Sequence, residues 1–528
     1  MPESEDAKKI SLTVGLLREA LEKPAELFKS PAALASLAIG RGSSRVGTLY
    51  YPLSRSLPPS WLALFKPYLK SLPKGLVNST TSAVLVVPRG DRRFVVTFGL
   101  GRHLLRAGVL EETFGLRVTL SSIDPGRVRS IDRRTFDAIA THTRSHSSVD
   151  ASPDQFGLDI QRDLVRAVTG SPRDETLGVR MSGADSLTVR VAAELRDLPR
   201  LLDRYLERYD SNEYRKHFPW IDQIQPVKRT TDREKLDQKL VETLQESDFG
   251  HAFLAVPEPI DWAQVSGFKY SDDGALHDDV HLRDFKNALR NDGPVTLRAL
   301  RSRRVRCVGK DADEVMHKWP VYACLNSELE VGKERFLLAG GRWYKVASSF
   351  VEQINADVAR VPKCALGLPD YNDGSETEYN ARVAAASGGR LALMDVKKVA
   401  HGGGGSTIEF CDLYDRDRRI VHVKRYAGSR PLSHLFAQGL VSARLFLADS
   451  SFRKKVNDRL PASHRFAAPD DPPTPSEYEV VFGIVSRSAE PIPDSLPFFG
   501  KVTLASVYGQ LSLYRLKVSV AKIQQAAK

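Results

Sequence analysis

The side chains of clearest chemical promise lie in the last third of the 528-residue chain: Glu378, Asp395, Glu409 and Lys424, with His422 two positions before the lysine. Carboxylates are hard oxygen donors that suit Mg2+ or Mn2+. A cation so held stabilises charge on a phosphate and lowers the pKa of an attacking water. A lysine beside it can position that water or neutralise the developing negative charge. Such a set would serve phosphodiester hydrolysis. Strand alternation with period two puts His422 and Lys424 on one face. By the same rule Glu409 and Asp412 point to opposite faces of a regular strand, so at most one of them reaches a shared metal. Asp395 and Glu409 are the expected metal ligands, with Asp412 left to cap the following turn.

The elements that must position these groups are legible. Residues 377–386 read as a helix with Ser375 as N-cap and Gly388-Gly389 as its stop. RLALMDVKKV is a strand, HGGGGS a turn and TIEFCDLY a second strand. Asp415–Arg418 turns the chain into a third strand, RIVHVKRY. Residues 432–447 form an amphipathic helix. Beyond a proline-rich loop come the strand EVVFGIVS, the helix VTLASVYGQLSLY and the strand RLKVSVAKI.

From Ser375 onward this α-β-β-β-α-β-α-β order resembles the core of the PD-(D/E)xK restriction-endonuclease-like superfamily. The resemblance implies a glutamate on the first helix near the active edge, which is Glu378 here. It implies an acid on the second strand (Glu409), a (D/E)-x-K pair on the third, where His422-Val423-Lys424 stands, and a glutamine on the next helix (Gln438). Histidine replaces the expected acid. Either imidazole takes the place of a ligand or Asp395 supplies it. The implied activity is metal-dependent cleavage of DNA or RNA, with a catalytically silent nucleic-acid-binding or sensor version as the alternative.

Further strings look similar to a sporadically distributed bacterial family of unknown function of about this length. They are FGLGRHLL (98–105), FGLRVTL (114–120), GGRWYKV (340–346), IEFCDLY and HVKRYAGSRPLSHLFAQGLVSA (422–443). Such a distribution implies an anti-phage defence or restriction setting, with partner proteins from a defence operon.

The whole chain reads as mixed α/β and multi-domain. The expected divisions are 1–245 for recognition or scaffold, 246–368 as a middle α+β domain, and 369–528 as the nuclease-like domain. Residues 10–75 read as helical stretches broken by prolines, and 82–100 as a hairpin turning at Arg89-Gly90-Asp91. Residues 114–131 read as short strands and 159–169 as helical. Residues 190–209 read as a helix interrupted at Pro199, and 295–302 as a strand. A net charge of +12 favours polyanions, with DNA ahead of RNA. Arg301, Arg303, Arg304, Arg306 and Arg425 are the expected phosphate contacts, since arginine forks onto phosphate as lysine cannot.

Other constellations weigh less. His277–Asp284 gathers histidines and aspartates at no standard ligand spacing, and His142/His146 reads as a polar loop. Gly402–Gly405 lacks the Gly-Lys-Ser/Thr of a phosphate-binding loop and reads as a turn. The four cysteines (Cys307, Cys324, Cys364, Cys411) form no C-x-x-C pair, against a zinc ribbon or secreted disulfide framework. No signal peptide and no apolar run of membrane length is visible, so the expectation is a cytoplasmic protein with no membrane partner. A homodimer would suit cutting of both strands of a duplex.

Overall fold

Alternating apolar residues in Ile10–Leu16 bury Leu12, Val14 and Leu16 on one side, which is strand spacing rather than helix spacing. The structure is a computed structural model. It describes residues 9–525 apart from 20, 22, 41–44, 54–80, 136–140, 161–162, 247–248, 250–251, 259, 290–292, 310–314, 402–406 and 427–428. The described chain is a mixture of α-helices and several sheets, most of them antiparallel. It divides into two compact units. One comprises residues 1–134, 143–159 and 163–221. The other comprises 135–142, 160–162 and 222–528, and so contains both the 246–368 and 369–528 segments.

The first unit is built on a ten-stranded sheet. The expected hairpin is there, with Ser82–Arg89 paired to Arg92–Gly99 and Gly90 at φ 58° in the turn. Several other expectations are corrected. Within 10–75 the chain forms strands Ile10–Leu16, Leu34–Ile39 and Gly47–Pro52, while 54–80 lie outside the described residues. Phe114–Ser122 is a helix, not strands; nearly every residue in it is buried, so no polar face marks its period. Asp163–Pro172 is a strand, and His142 and His146 lie in another, Thr141–Ala151. Pro199 sits in the first turn of the helix Leu198–Asp210, where its missing N–H costs nothing, so it starts that helix instead of interrupting it.

In the second unit, Leu325–Val331 and Glu334–Ala339 form the expected hairpin around Gly332. Leu297–Ser302 is a helix rather than a strand, with the Thr296 hydroxyl accepting from Ala299 N at 3.1 Å as its cap. The C-terminal part positions the candidate site. Helix α1 (Glu376–Ala386) precedes strands β1 (Leu391–Leu393), β2 (Leu413–Asp415) and β3 (Arg419–Arg425). Helices α2 (Ser429–Ala448) and α3 (Ser450–Arg459) lead to β4 (Glu479–Ser486), α4 (Phe498–Leu513) and β5 (Lys517–Gln524).

The five strands lie in chain order, antiparallel from β1 to β3 and parallel from β3 to β5. A sheet whose later strands are joined by helical crossovers is covered on both faces. Tyr379 and Val383 of α1 pack with Val421, Val423 and Val481 on one side. Leu435 and Phe436 of α2 and Leu504 of α4 pack with Ile420, Phe482 and Ile484 on the other. β4 is accordingly apolar almost throughout.

The segment read as one strand, TIEFCDLY, is not continuous. Thr407–Ile408 pairs instead with Val399–Ala400 as a separate ribbon, and only Leu413–Asp415 joins the sheet. The turn expected at Gly402–Gly405 lies outside the described residues. The irregular stretch 409–412 between the two pieces changes the site.

Candidate metal centre

Where β1 ends, the Met394 and Asp395 backbone N–H groups both donate to Asp412 O, at 2.8 and 3.0 Å. Asp412 N donates to Val421 O at 3.0 Å, and its carboxylate Oδ2 accepts from Val423 N at 2.6 Å. Asp412 is therefore stitched to both neighbouring strands and its side chain is held beside Asp395. Glu409, freed from strand alternation, folds over the same spot. Its Oε1 accepts from Val396 N at 2.6 Å and its Oε2 from Gln438 Nε2 at 3.2 Å. Val396 sits at φ 59°, a conformation costly for a β-branched residue, and the Glu409 contact fastens it there.

One carboxylate oxygen from each of Asp395, Glu409 and Asp412 lies within 4.8 Å of the others. The expectation that only one of Glu409 and Asp412 reaches this point is corrected, because the alternation rule applies to a regular strand and 409–412 is not one. Asp395 and Asp412 are each only 8% exposed. Burial, then the neighbouring charges of Glu409, Asp395 and Glu376, push the Asp412 carboxyl up to about 8, against the pull of the Val423 N–H bond. Asp395 Oδ2 accepts from Asn380 Nδ2 of α1 at 3.1 Å. That leaves Asp395 Oδ1 and Asp412 Oδ1 with no hydrogen-bond partner among the described residues. Three hard oxygen donors pressed together, two with an oxygen to spare, fit a divalent cation of the Mg2+ or Mn2+ kind.

Lys424 lies at the far end of β3. Its Nζ donates to Glu376 Oε2 at 2.6 Å, and Glu376 Oε1 accepts from Arg425 N at 2.9 Å. Lys424 follows Val423 on β3, whose N–H holds the Asp412 carboxylate, so the pair lies one residue along the strand from that contact. Glu376, Asp412 and Asn380 are the groups that sequence reasoning missed. The capping signature Ser375-x-x-Glu378 could have found the first of them. It assigns Glu378 to the helix N-terminus and leaves Glu376 for other work.

Two expected residues are elsewhere. Glu378 Oε2 accepts from Gly374 N and Ser375 N at 2.9 and 3.2 Å, closing a capping box with Ser375. His422 is 0% exposed, stacked on Phe482 and hydrogen-bonded through Nε2 to Ser442 Oγ of α2 at 3.2 Å. Burial alone drives its pKa down to about 3. It is a neutral core histidine. Cys411 is also wholly buried, and burial raises its thiol well above the ordinary range.

The expected arginine edge is largely committed within the protein. Arg301 ion-pairs with Asp237 at 2.6 Å and covers the Tyr322 ring, and Arg306 pairs with Asp272 at 2.7 Å. Arg304 and Arg425 are exposed. His277 contacts Asp284 at 3.4 Å, just ahead of the helix Leu282–Ala288.

Residues 12–524 match the model of a family described as "Family of unknown function (DUF6119)". The chain belongs to that family. No curated protein matches the sequence, and no solved structure matches the fold. Among the described residues no helix is long and apolar enough to cross a membrane.

Proposed function

We propose that this family member is a metal-dependent nuclease whose C-terminal part is a restriction-endonuclease-like core acting in anti-phage defence or restriction. The observation that carries the reading is the convergence of Asp395, Glu409 and Asp412, with the Glu376–Lys424 pair one residue along β3 from the Val423 N–H that holds Asp412. Support comes also from the element order, with three antiparallel strands followed by parallel crossovers, and from the excess positive charge of the chain.

A divalent cation bound by the three carboxylates would polarise a scissile phosphate and acidify a water. The chain's own residues set the stage for that. Asn380 orients Asp395, Gln438 and the Val396 N–H orient Glu409, and the Val423 N–H orients Asp412. Lys424, aimed by Glu376, brings a positive charge to the edge where negative charge would build on the phosphate.

The test is incubation of the full chain with plasmid, single-stranded DNA and RNA in Mg2+ or Mn2+. Glu409→Gln and Lys424→Ala should each lower cleavage by about 10²–10³-fold, the size typical for a lost charge-stabilising group. Full cleavage by both variants would sink the site assignment. A second reading, a silent nucleic-acid-binding or sensor component, is favoured by one observation: His422 is buried and neutral where a nuclease of this kind has a ligand carboxylate. Salt-dependent binding with no cleavage in either metal would select it.

A further inference from the structure

In the first unit, five adjacent strands place hydroxyl residues in one straight row across the sheet. Thr97 lies opposite Thr13, Thr13 opposite Thr188, Thr188 opposite Ser182, and Ser182 opposite Thr169. Cross-strand partners share a face, and the hydrogen bonds Thr13 Oγ1 to Thr188 Oγ1 (3.3 Å) and Thr169 Oγ1 to Ser182 Oγ (2.9 Å) lie along it. Two residues further along the central strands, the same face carries a second row in which Ser11 lies opposite Arg190 and Arg190 opposite Arg180. Ser11, Thr188, Arg180 and Arg190 are exposed, and a shallow cavity of about 280 Å3 opens among them and Ser182.

What marks this face is two exposed arginines directly opposite each other on neighbouring strands. Elsewhere in the unit Arg89, Arg133, Arg144 and Arg204 each hold an aspartate. Arg180 and Arg190 have no carboxylate partner among the described residues, although like charges directly opposite in a sheet repel. The protein leaves this cost unrelieved, and an anion would relieve it. The row of hydroxyls extends the polar surface over four strand spacings, roughly 19 Å at about 4.8 Å each, far longer than one phosphate needs. No aromatic side chain lies in either row, so bases have nothing to stack on. Arginine with serine and threonine hydroxyls is the donor set that holds sugar-phosphate oxygens without reading sequence.

We infer that this open sheet face binds the phosphodiester backbone of a nucleic-acid strand, through Arg180 and Arg190 flanked by the hydroxyl row. The inference concerns binding in the first unit and stands whether or not the metal centre cuts.

The test is fluorescence anisotropy of the full chain with a labelled oligonucleotide of about 30 nucleotides, single-stranded and duplex, in EDTA so that nothing is cleaved. Wild type should bind, with affinity falling steeply between about 50 and 200 mM salt. The R180A/R190A double variant should bind at least about tenfold more weakly, with the log–log salt slope reduced by about 2. Thr188→Val, which keeps β-propensity and removes only a hydroxyl, should lose a few-fold with an unchanged circular dichroism spectrum. Arg196→Ala, an exposed arginine already paired with Glu194, should leave binding as it was. Wild-type affinity in the double variant overturns the inference. So does a wild type that takes up inorganic phosphate in calorimetry but no oligonucleotide.

Discussion

Asp412 and Asp415 are the same chemical group, one just before and one at the end of the same short strand, and both are buried, yet the protein treats them in opposite ways. Burial pushes both carboxyls up. At Asp415, Arg390 and Arg419 reach in at 3.1 and 2.8 Å, and the hydrogen bonds that the carboxylate accepts from them and from the Asp417 N–H hold it below its ordinary range. At Asp412 the neighbouring charges are Glu409, Asp395 and Glu376, and the carboxyl rises to about 8. One end of the strand neutralises its acid from within. The other gathers acids and supplies no arginine. A fold that places two arginines on one buried aspartate places none on its neighbour, and the proposed metal centre would balance that second site with a cation from outside.

The largest effect that can break this comparison is cation binding itself. In calorimetric or fluorescence melts, Mg2+ or Mn2+ at a hundred times its dissociation constant should stabilise wild type by about 2.7 kcal/mol. Asp395→Asn should lose most of that gain. No metal-induced shift in wild type would end the metal reading. Next come the two aspartates in EDTA. Asp415→Asn leaves Arg390 and Arg419 without their shared anion. Those guanidiniums keep some solvent, so the loss should be about 2 kcal/mol, less than for a fully buried pair. Asp412→Asn keeps an oxygen for the Val423 N–H and removes repulsion, so it should stabilise the metal-free protein. Urea unfolding of both variants decides the matter, and shifts of the same sign would refute the contrast.

Much of the frame behind this contrast was legible in the sequence. Glycine stops, a serine cap and short β-branched runs marked α1, β3, β4 and α4, because each rests on local periodicity or turn chemistry; of RLALMDVKKV, read as one strand, only Leu391–Leu393 joins the sheet and Val399–Ala400 belongs to the separate ribbon. Lys424 follows from that frame. The break at 409–412 was not legible, because TIEFCDLY alternates well enough to be a strand. What interrupts it is tertiary: the pairing of Thr407–Ile408 with Val399–Ala400 and the hydrogen bonds from Asp412 to the strands beside it. A regular strand through this segment turns Asp412 away from Glu409 and makes it a turn cap. In the first unit, Phe114–Ser122 was missed for a different reason. A helix buried on all sides shows no polar stripe.

His422 offers a smaller test of the same physics with an apolar surround. Its folded pKa of about 3 lies below the unfolded value, so the unfolded chain binds the extra proton first as pH falls. Its contribution to stability is whole above the unfolded pKa and is lost progressively as pH drops toward 3. Between about pH 7.5 and 5.5 the loss should be about 1.4 kcal/mol. His422→Leu should flatten that part of the profile, measured as the difference between variant and wild type so that other titrating groups cancel. A variant with the same acid slope as wild type would mean that the histidine is not held neutral.

The smallest expected effect separates two glutamates two residues apart on α1. Glu378 serves the helix end, where it accepts from the Gly374 and Ser375 N–H groups, while Glu376 reaches Lys424 and the Arg425 N–H. Glu378→Ala should cost up to about 1 kcal/mol in unfolding experiments, the worth of one exposed cap, and leave any metal-dependent cleavage unchanged. Glu376→Ala should do the reverse. Its global stability should change little, because the ion pair it removes is a third exposed, but Lys424 loses the group that aims it. Cleavage should then fall, and added salt should not restore it. If instead Glu378→Ala impairs cleavage and Glu376→Ala does not, the active edge lies on the other side of the helix start, and the acid cluster at Asp412 is not its centre.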